Sequence, residues 1–583
     1  MNGIEYQLIT RADELPALLE LFSHASAVGL DSETTGLDPH TSKIRLLQFS
    51  FPGRNILLDV FELPSDSLKP VFSFLENPAL TKVAHNAKFD AKFLRSNFGV
   101  HLNGIFDTYL SSVLVGAGSE IDRHSLEASV QRLLSISMNK EAQLSDWSGH
   151  LDKYQLEYAA HDSEVLLPLR DALAEKLNEM DLNVIAELEH ECLPSIIDME
   201  FRGVYLDQQR WTDRISIVRR ECDAVSLSLK EELGRASSQM SLFDSGISVN
   251  LDSPHQVRDA LLRLGIDVDS TSEWHLTRMA GDHPIVARLL TYRSLSKSLS
   301  SFGEGLLEFV NPSTKRIHAD FRQIGTPTGR ITCSSPSLQQ IPHGIEYRSC
   351  FRAPEGRRLV VADFSQIEMR ILAELSNDDA LLKAFRLRED LHRSTAAQMY
   401  GIPLTHVTPH LREKAKGLNY GLVYGMGAEG LAARLGITVE EAGALIDRYF
   451  AAYPGVDRWL RRAADLAIDE GRARTASGRL WVFNLDPLNR EEHGQLRRVG
   501  KNAPIQGTGS DIFKRAMTIT SNRLKGSDAF IVNSIHDEIV VECDQATADE
   551  TAKIVNQSMI DAGSEFLFRV PIEVDVSVTD CWE

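Results

Sequence analysis

A chain of 583 residues is too long for a single hydrophobic core, so two to four domains are expected. An apolar fraction of 43% and a charged fraction of 25% are ordinary for a water-soluble globular protein, and no apolar run approaches the roughly 20 residues that span a bilayer. The formal net charge of −20 argues against wholesale coating of a polyanion, although a locally basic cleft stays compatible with it.

The start, MNGIEYQLITRADEL, has acids early and no apolar core, so it reads neither as a signal nor as a transit peptide. Six cysteines without C-x-x-C spacing read as reduced thiols of a cytoplasmic compartment. Strand-like runs at 25–31, 43–51 and 55–60, followed by helical periods at 86–98 and 151–179, predict an α/β layer domain of about 185 residues. In VGLDSE, Asp31 and Glu33 stand two apart and share one face of a strand. Asp90 falls where the loop of AHNAKFDAKFL enters a helix, while Tyr158 and Asp162 of LEYAAHDSEVL share a helix face. Each fragment alone reads as ordinary surface acids; the three in this order read as four acids and a tyrosine converging on one sheet edge.

From about 209 to 305 the pattern is mostly helical, interrupted by the polar RASSQMSLFDSG. Mixed segments run to 378, helices dominate from 379 to about 475, and strands return near the end. VVADFSQIEMR (360–370) is an apolar strand presenting Asp363, then a helical period carrying Glu368. In LREKAKGLNYGLVYG (411–425), Arg412, Lys416, Tyr420 and Tyr424 form a helical stripe that drifts about 40° per step. Two cations followed by two rings suit a triphosphate followed by a sugar and base, with Gly421 and Gly425 as room for a nucleotide or template. An amphipathic helix with snorkelling bases is the plainer alternative. Finally AFIVNSIHDEIVVE sets His536, Asp537 and Glu538 between two strand runs. Adjacent carboxylates there are costly without a partner, and a cation would supply one.

The set D-x-E, N-x-x-x-F-D and Y-x-x-x-D resembles the 3′→5′ exonucleases with four acids and a tyrosine, built on a ribonuclease H-like fold. That resemblance implies two divalent ions, Mg²⁺ or substituting Mn²⁺, held by Asp31, Glu33, Asp90 and Asp162, with Tyr158 positioning the attacking water. The rest of the chain resembles the family A DNA polymerases of the bacterial DNA polymerase I large-fragment type. DFSQIEMR matches motif A, R-x-x-x-K-x-x-x-Y-G-x-x-Y-G motif B and HDE motif C, with TPTGRITC, DLHRSTA, YPGV and RRVGKNAPIQGTGSDIFKRAM as further matches. The implied fold is α/β and α+β multidomain: an exonuclease domain over 1–185, then a right-hand polymerase over 186–583. Its thumb is expected at about 209–312, its palm at about 313–378 and 491–583, and its fingers at about 379–490.

The resemblance implies that Asp363, Asp537 and the Phe364 carbonyl hold two Mg²⁺ ions, with Glu538 a supporting acid and Lys416 the acid for pyrophosphate departure. Glu368, His392, Arg412, Lys416, Tyr420 and Tyr424 would bind the dNTP; Arg330, Arg498, Asn502, Gln506 and His536 would line the primer–template DNA. The expected protein is a cytoplasmic monomer of bacterial or phage origin that extends primers and proofreads, with no 5′ nuclease domain and no membrane contact. A single-subunit RNA polymerase and a catalytically inactive DNA-binding accessory subunit are the alternatives. Glu368, which blocks a 2′-hydroxyl, and the exonuclease argue against the first; the intact acids argue against the second.

Three departures from the family pattern stand out. Tyr420 replaces a common Phe, which implies weak rejection of dideoxynucleotides. Gln340 replaces an Asn, and the segment is shortened around Gly344 where an extra Arg often stands, leaving Arg348 and Arg352 as candidate substitutes. An insert of about a dozen residues at the expected thumb tip contains QMSLF (239–243), similar to the peptides that dock on bacterial sliding clamps. There Gln239 would hydrogen-bond while Met240, Leu242 and Phe243 bury apolar surface.

Overall fold

Leucine-rich and β-branched runs near the start form a six-stranded sheet in this computed structural model, which describes residues 5–118, 123–138, 145–235, 249–342, 344–483 and 489–582. Its strands are β1 (Gln7–Ile9), β2 (Ala27–Thr34), β3 (Ile44–Phe51), β4 (Arg54–Asp59), β5 (Thr81–Ala84) and β6 (Ile105–Asp107). They lie in the order β1-β4-β3-β2-β5-β6; β3 runs antiparallel to both neighbours, and β2, β5 and β6 run parallel. All of β3 is buried because the alternating side chains of a strand meet cover on both faces. Leu46 packs with Leu57, Trp147 and Leu156, whereas Leu47 and Phe49 pack with Phe22, Phe93 and Leu94.

The sequence-read boundary at 185/186 falls inside the first turn of the helix Asn183–Arg202, which belongs to both halves of the molecule. Leu193 and Ile197 complete the core of the six-stranded sheet; Cys192, Ile196 and Met199 join the large core beyond it. Two paired helices, Gln208–Arg235 and Pro284–Phe302, then enclose a small core of their own around Leu229, Leu233, Leu261 and Leu289. The candidate clamp residues Gln239, Met240, Leu242 and Phe243 lie outside the described residues.

A second sheet is fully antiparallel, in the order Phe530–Ile535, Glu538–Asp544, Arg357–Phe364, Val574–Thr579. Six helices from Asp379–Arg386 to Pro454–Glu470 lie in the chain between Arg357–Phe364 and the other strands of this sheet, as the helical periodicity of 379–475 anticipates. The segment rich in Gly and Pro after them forms the helix Arg490–Arg523, with Pro504 inside it. Neighbours pressing close explain its composition: a Cβ on Gly500 would lie 2.4 Å from the Ala467 Cβ.

A buried ion network fastens the two halves together. Glu189, Asp511 and Lys514 are wholly buried, and Arg479 nearly so. Lys514 Nζ lies 2.5 Å from Glu189 Oε1, Arg479 bridges Glu189 to Asp511, and Gln323 donates to Glu189 Oε2 at 2.6 Å. Burial by itself would raise the Glu189 carboxyl, but the two cations hold it below the usual range. Two anions and two cations cancel, so the cost of the network is desolvation alone. Among the described residues no helix is long and apolar enough to cross a membrane.

Glu189→Ala takes the carboxylate from the buried Lys514 and leaves Arg479 with Asp511 alone, and should destabilise the fold by about 3–5 kcal/mol in denaturant titration. Arg461→Ala, which opens only an exposed pair with Asp457, should leave the denaturation midpoint close to that of the wild type in the same measurement.

Candidate active sites

The first site forms where β2 leaves the sheet. Asp31 and Glu33 stand opposite Gln48 and Leu46 of β3 and therefore share a face. Asp90 sits in the first turn of the helix Lys88–Phe98. Tyr158 and Asp162 lie on the helix Lys153–Glu164, whose start is fixed by a reciprocal capping box between Asp152 and Gln155. All five line one cleft of about 750 Å³.

Burial pushes the Asp90 carboxyl up to about 7, opposed by the hydrogen bond it accepts from the Ser32 hydroxyl. Burial raises the Tyr158 hydroxyl too, and the charges of Asp162, Glu33 and Asp31 add to the effect, so the ring faces three of the four acids. Leu37, 86% exposed, stands at the same cleft. Asp320, Phe321, Arg322 and Gln323 also line it although they belong to the C-terminal half. No sequence pattern announces such a contact between distant segments.

Sequence reasoning missed Asp107. It is buried beside this cleft and accepts from the backbone N–H groups of Asn86, Ala87, Tyr109 and Leu110, with distances from 2.7 to 3.2 Å. It therefore caps one helix and pins the loop that leads to Asp90. Its signal was legible: an Asp between the strand run IFD and a helical period is an N-cap pattern.

The second site forms at the centre of the antiparallel sheet. Pairing sets Asp363 opposite Glu538 on one side and Asp575 on the other. The strands Phe530–Ile535 and Glu538–Asp544 are joined by only His536 and Asp537, with His536 in the left-handed region at φ +55°. Burial and the charges of Asp537, Glu538 and Asp575 push Asp363 up to about 7. Burial, with help from Glu368, pushes Asp537 up to about 6 against the pull of Arg330. Asp363 Oδ1 is buried and has no hydrogen-bond partner among the described residues. A buried orphan oxygen amid like charge is the environment a hard cation relieves, so Asp363 and Asp537 fit a divalent metal.

Asp363, Phe364, Glu368, Tyr420, Tyr424, Arg330, Gln506, His536 and Asp537 line one cleft of about 370 Å³. Glu368 accepts from Arg330 and from the Tyr424 hydroxyl, each at 2.7 Å. The Gln506 amide meets the Thr328 hydroxyl at 2.8 Å. On the helix Pro409–Val423, Lys416 and Arg412 lie on the Tyr420 stripe but about one and two turns beyond the cleft, respectively. Arg412 pairs with Asp390 at 2.8 Å, and Lys416 is exposed. His392 is buried beneath them, its Nδ1 2.9 Å from the Asn419 amide and its ring 5.7 Å from that of Tyr420. Arg498, exposed, and Asn502 are earlier on the helix that carries Gln506.

Two expectations need correction. Gly421 and Gly425 do not leave room for a ligand: a Cβ on Gly421 would meet Met426 Sδ at 3.2 Å, and one on Gly425, at φ +70°, would meet Arg498 Cα at 3.1 Å. Arg348 does not stand in for the cation missing near Gly344, because it faces Glu538 and lies over Trp582.

A family model described as DNA polymerase family A matches residues 219–583, and one described as 3′-5′ exonuclease matches residues 6–178. The chain is 32% identical to DNA polymerase I of Pseudomonas aeruginosa, covering 100% of this chain and 66% of that protein. It is also 32% identical to DNA polymerase I of Aquifex aeolicus, covering 99% of this chain and 100% of that one. It thus spans about two thirds of the Pseudomonas relative and the whole of the Aquifex relative. The POL domain of Pol1 from M. smegmatis, solved in complex with DNA primer-template and dNTP, superposes with a TM-score of 0.86 at 29% identity, covering 100% of this chain and 99% of that chain.

Raised carboxyl values mean that the folded state binds protons the unfolded state has already released between about pH 4 and pH 7, so metal-free stability falls as pH rises through that window. Asp363→Asn should therefore raise the metal-free melting temperature at pH 7.5, by an amount equivalent to about 1–3 kcal/mol. The gain should vanish below about pH 4, where the wild-type group is protonated in both states; thermal melts in EDTA across pH 4–8 check this.

Proposed function

The chain belongs to DNA polymerase family A, and from that premise we propose that it extends a primer 3′ end on a DNA template at the cleft of the antiparallel sheet and removes mispaired 3′ ends at the cleft of the six-stranded sheet. The observation that carries the reading is the cleft itself, where Asp363 from a strand and Asp537 from the connection between two others meet Glu368, Tyr420 and Tyr424 from two helical segments. Asp363, Asp537 and the Phe364 carbonyl would hold divalent metal in the palm, and Asp31, Glu33, Asp90 and Asp162 would hold it in the exonuclease cleft. Bound there, Mg²⁺ would supply Lewis acidity to the attacking and leaving oxygens of a phosphoryl transfer.

The residues divide the remaining work. Arg412, Lys416 and His392 grip the triphosphate on the stripe that leads into the cleft, and Lys416 carries the proton for departing pyrophosphate. Glu368, fixed from two sides by Arg330 and Tyr424, is the wall that excludes a 2′-hydroxyl and favours dNTP over rNTP. Arg330, Arg498, Asn502, Gln506 and His536 contact the duplex through phosphates and minor-groove acceptors, which are shared by all correct pairs and so test geometry without reading sequence. Tyr158 orients water in the exonuclease cleft. Glu538 is a supporting acid beside the primer end. A monomer in the cytoplasm is part of the same proposal; the six cysteines are all buried and none forms a disulfide.

QMSLF is proposed as a docking peptide for a bacterial-type sliding clamp, on its sequence alone. Leu242 and Phe243 would each contribute roughly 1.5–3 kcal/mol of burial, enough for micromolar binding after ordering costs.

Extension of a recessed primer with Mg²⁺ and dNTPs tests the leading claim. Asp363→Asn with Asp537→Asn should slow it by roughly a thousandfold or more, and unimpaired extension would refute the reading. With dNTPs omitted the wild type should shorten the primer, whereas Asp31→Ala with Glu33→Ala should abolish shortening and spare extension. Tyr420→Phe should raise the preference for dNTP over ddNTP by about tenfold or more, because the phenol can stand in for the missing 3′-hydroxyl. Leu242→Ala with Phe243→Ala should remove the gain in product length that an added clamp gives; an unchanged gain would exclude docking through this peptide.

A further inference from the structure

Glu538 is held from behind by two residues outside motifs A, B and C. Trp582, 1% exposed, donates its indole N–H to Glu538 Oε1 at 2.7 Å. Arg348 Nη1 lies 3.8 Å from Glu538 Oε2, and its guanidinium covers the Trp582 ring at 4.2 Å. The indole is itself fixed. Its ring meets Phe351 edge-on at 5.5 Å, and the Trp582 backbone N–H donates to the Phe351 carbonyl at 2.8 Å. Arg348 and Phe351 stand at either side of one short turn, so the same segment supplies both the cation and the wall behind the indole. Both oxygens of Glu538 therefore face a fixed group, while across the strand pair Asp363 Oδ1 has none among the described residues.

We propose that Arg348 and Trp582 are positioning residues for primer extension: they hold the Glu538 carboxylate in one orientation beside Asp363, away from the oxygen left open for metal. The arrangement separates two neighbouring acids by function, since one is occupied by the protein and the other is left for a ligand. The inference rests on the proposed polymerase reading of this site.

A double-mutant cycle with single-nucleotide incorporation tests it. Trp582→Phe keeps an aromatic ring against Phe351 and Arg348 but removes the donor. It should lower kcat by about tenfold with KM for dNTP unchanged. In a Glu538→Ala background the same change should cost nothing further, because the group it acts through is gone. Shortening of a primer without dNTPs should be equal in all four proteins, which shows that the fold is intact. Losses that multiply across the cycle, or no loss from Trp582→Phe, would overturn the inference. If Trp582→Phe also loses primer shortening, the cycle of Arg348→Lys with Glu538→Ala decides in its place, on the same criterion. A wild-type protein that extends primers while the cycle multiplies sinks this inference alone; a wild type that cannot extend them sinks the polymerase reading and this inference with it.

Discussion

Carboxylates forced together by strand pairing are the constraint around which this protein is arranged. The antiparallel register leaves Asp363 between Glu538 and Asp575, and the two-residue connection at His536 and Asp537 brings another acid to the same edge. Strand pairing fixes the spacing of their backbones, so a rotamer change relieves only part of the repulsion. The surroundings must answer that charge: Arg330 pulls on Asp537, Arg348 faces Glu538, and the buried oxygen of Asp363 that has no hydrogen-bond partner among the described residues is the place proposed for a metal. The exonuclease cleft meets the same difficulty with different means. There the acids come from a strand and two helix faces, a hydroxyl from Ser32 tempers Asp90, and Asp107 collects backbone amides so that the loop before Asp90 cannot drift.

Much of this was legible because the chemistry sits on elements with strong periodicity. The alternation in VGLDSE and VVADF puts each acid on a definite strand face, and four-residue spacing puts Tyr158 with Asp162, and Lys416 with Tyr420, on one side of a helix. The helix Arg490–Arg523 was harder to see. Its propensities argue against helix, since Gly500, Gly507 and Gly509 and Pro504 lie within three turns. They are tolerated because the helix is enclosed by Pro454–Glu470, Asn183–Arg202 and Ala548–Ser564, and tertiary packing outweighs the local penalty.

Contacts between segments far apart in sequence were illegible altogether. Nothing in GRLWVF signals that Arg479 would bridge Glu189 and Asp511, or that the segment Asp320–Gln323 would wall the exonuclease cleft. Such pairs carry no local pattern, because each partner reads as an ordinary surface charge until the fold buries it. The same applies to Trp582, whose indole meets Glu538 only when the last strand has paired with Arg357–Phe364.

The helix Asn183–Arg202 has a practical bearing on how one would make a version of the enzyme without proofreading. Leu193 and Ile197 are covered by the first sheet, and the buried Glu200 receives Lys88 at 2.9 Å and Lys92 at 2.6 Å from a helix of that same half. Cutting the gene between the halves would lay bare a greasy stripe and take away both ammonium groups at once, leaving a sticky scaffold prone to clumping. On the proposed reading of the upstream pocket, changing its acids would silence excision and leave the joint between the halves untouched.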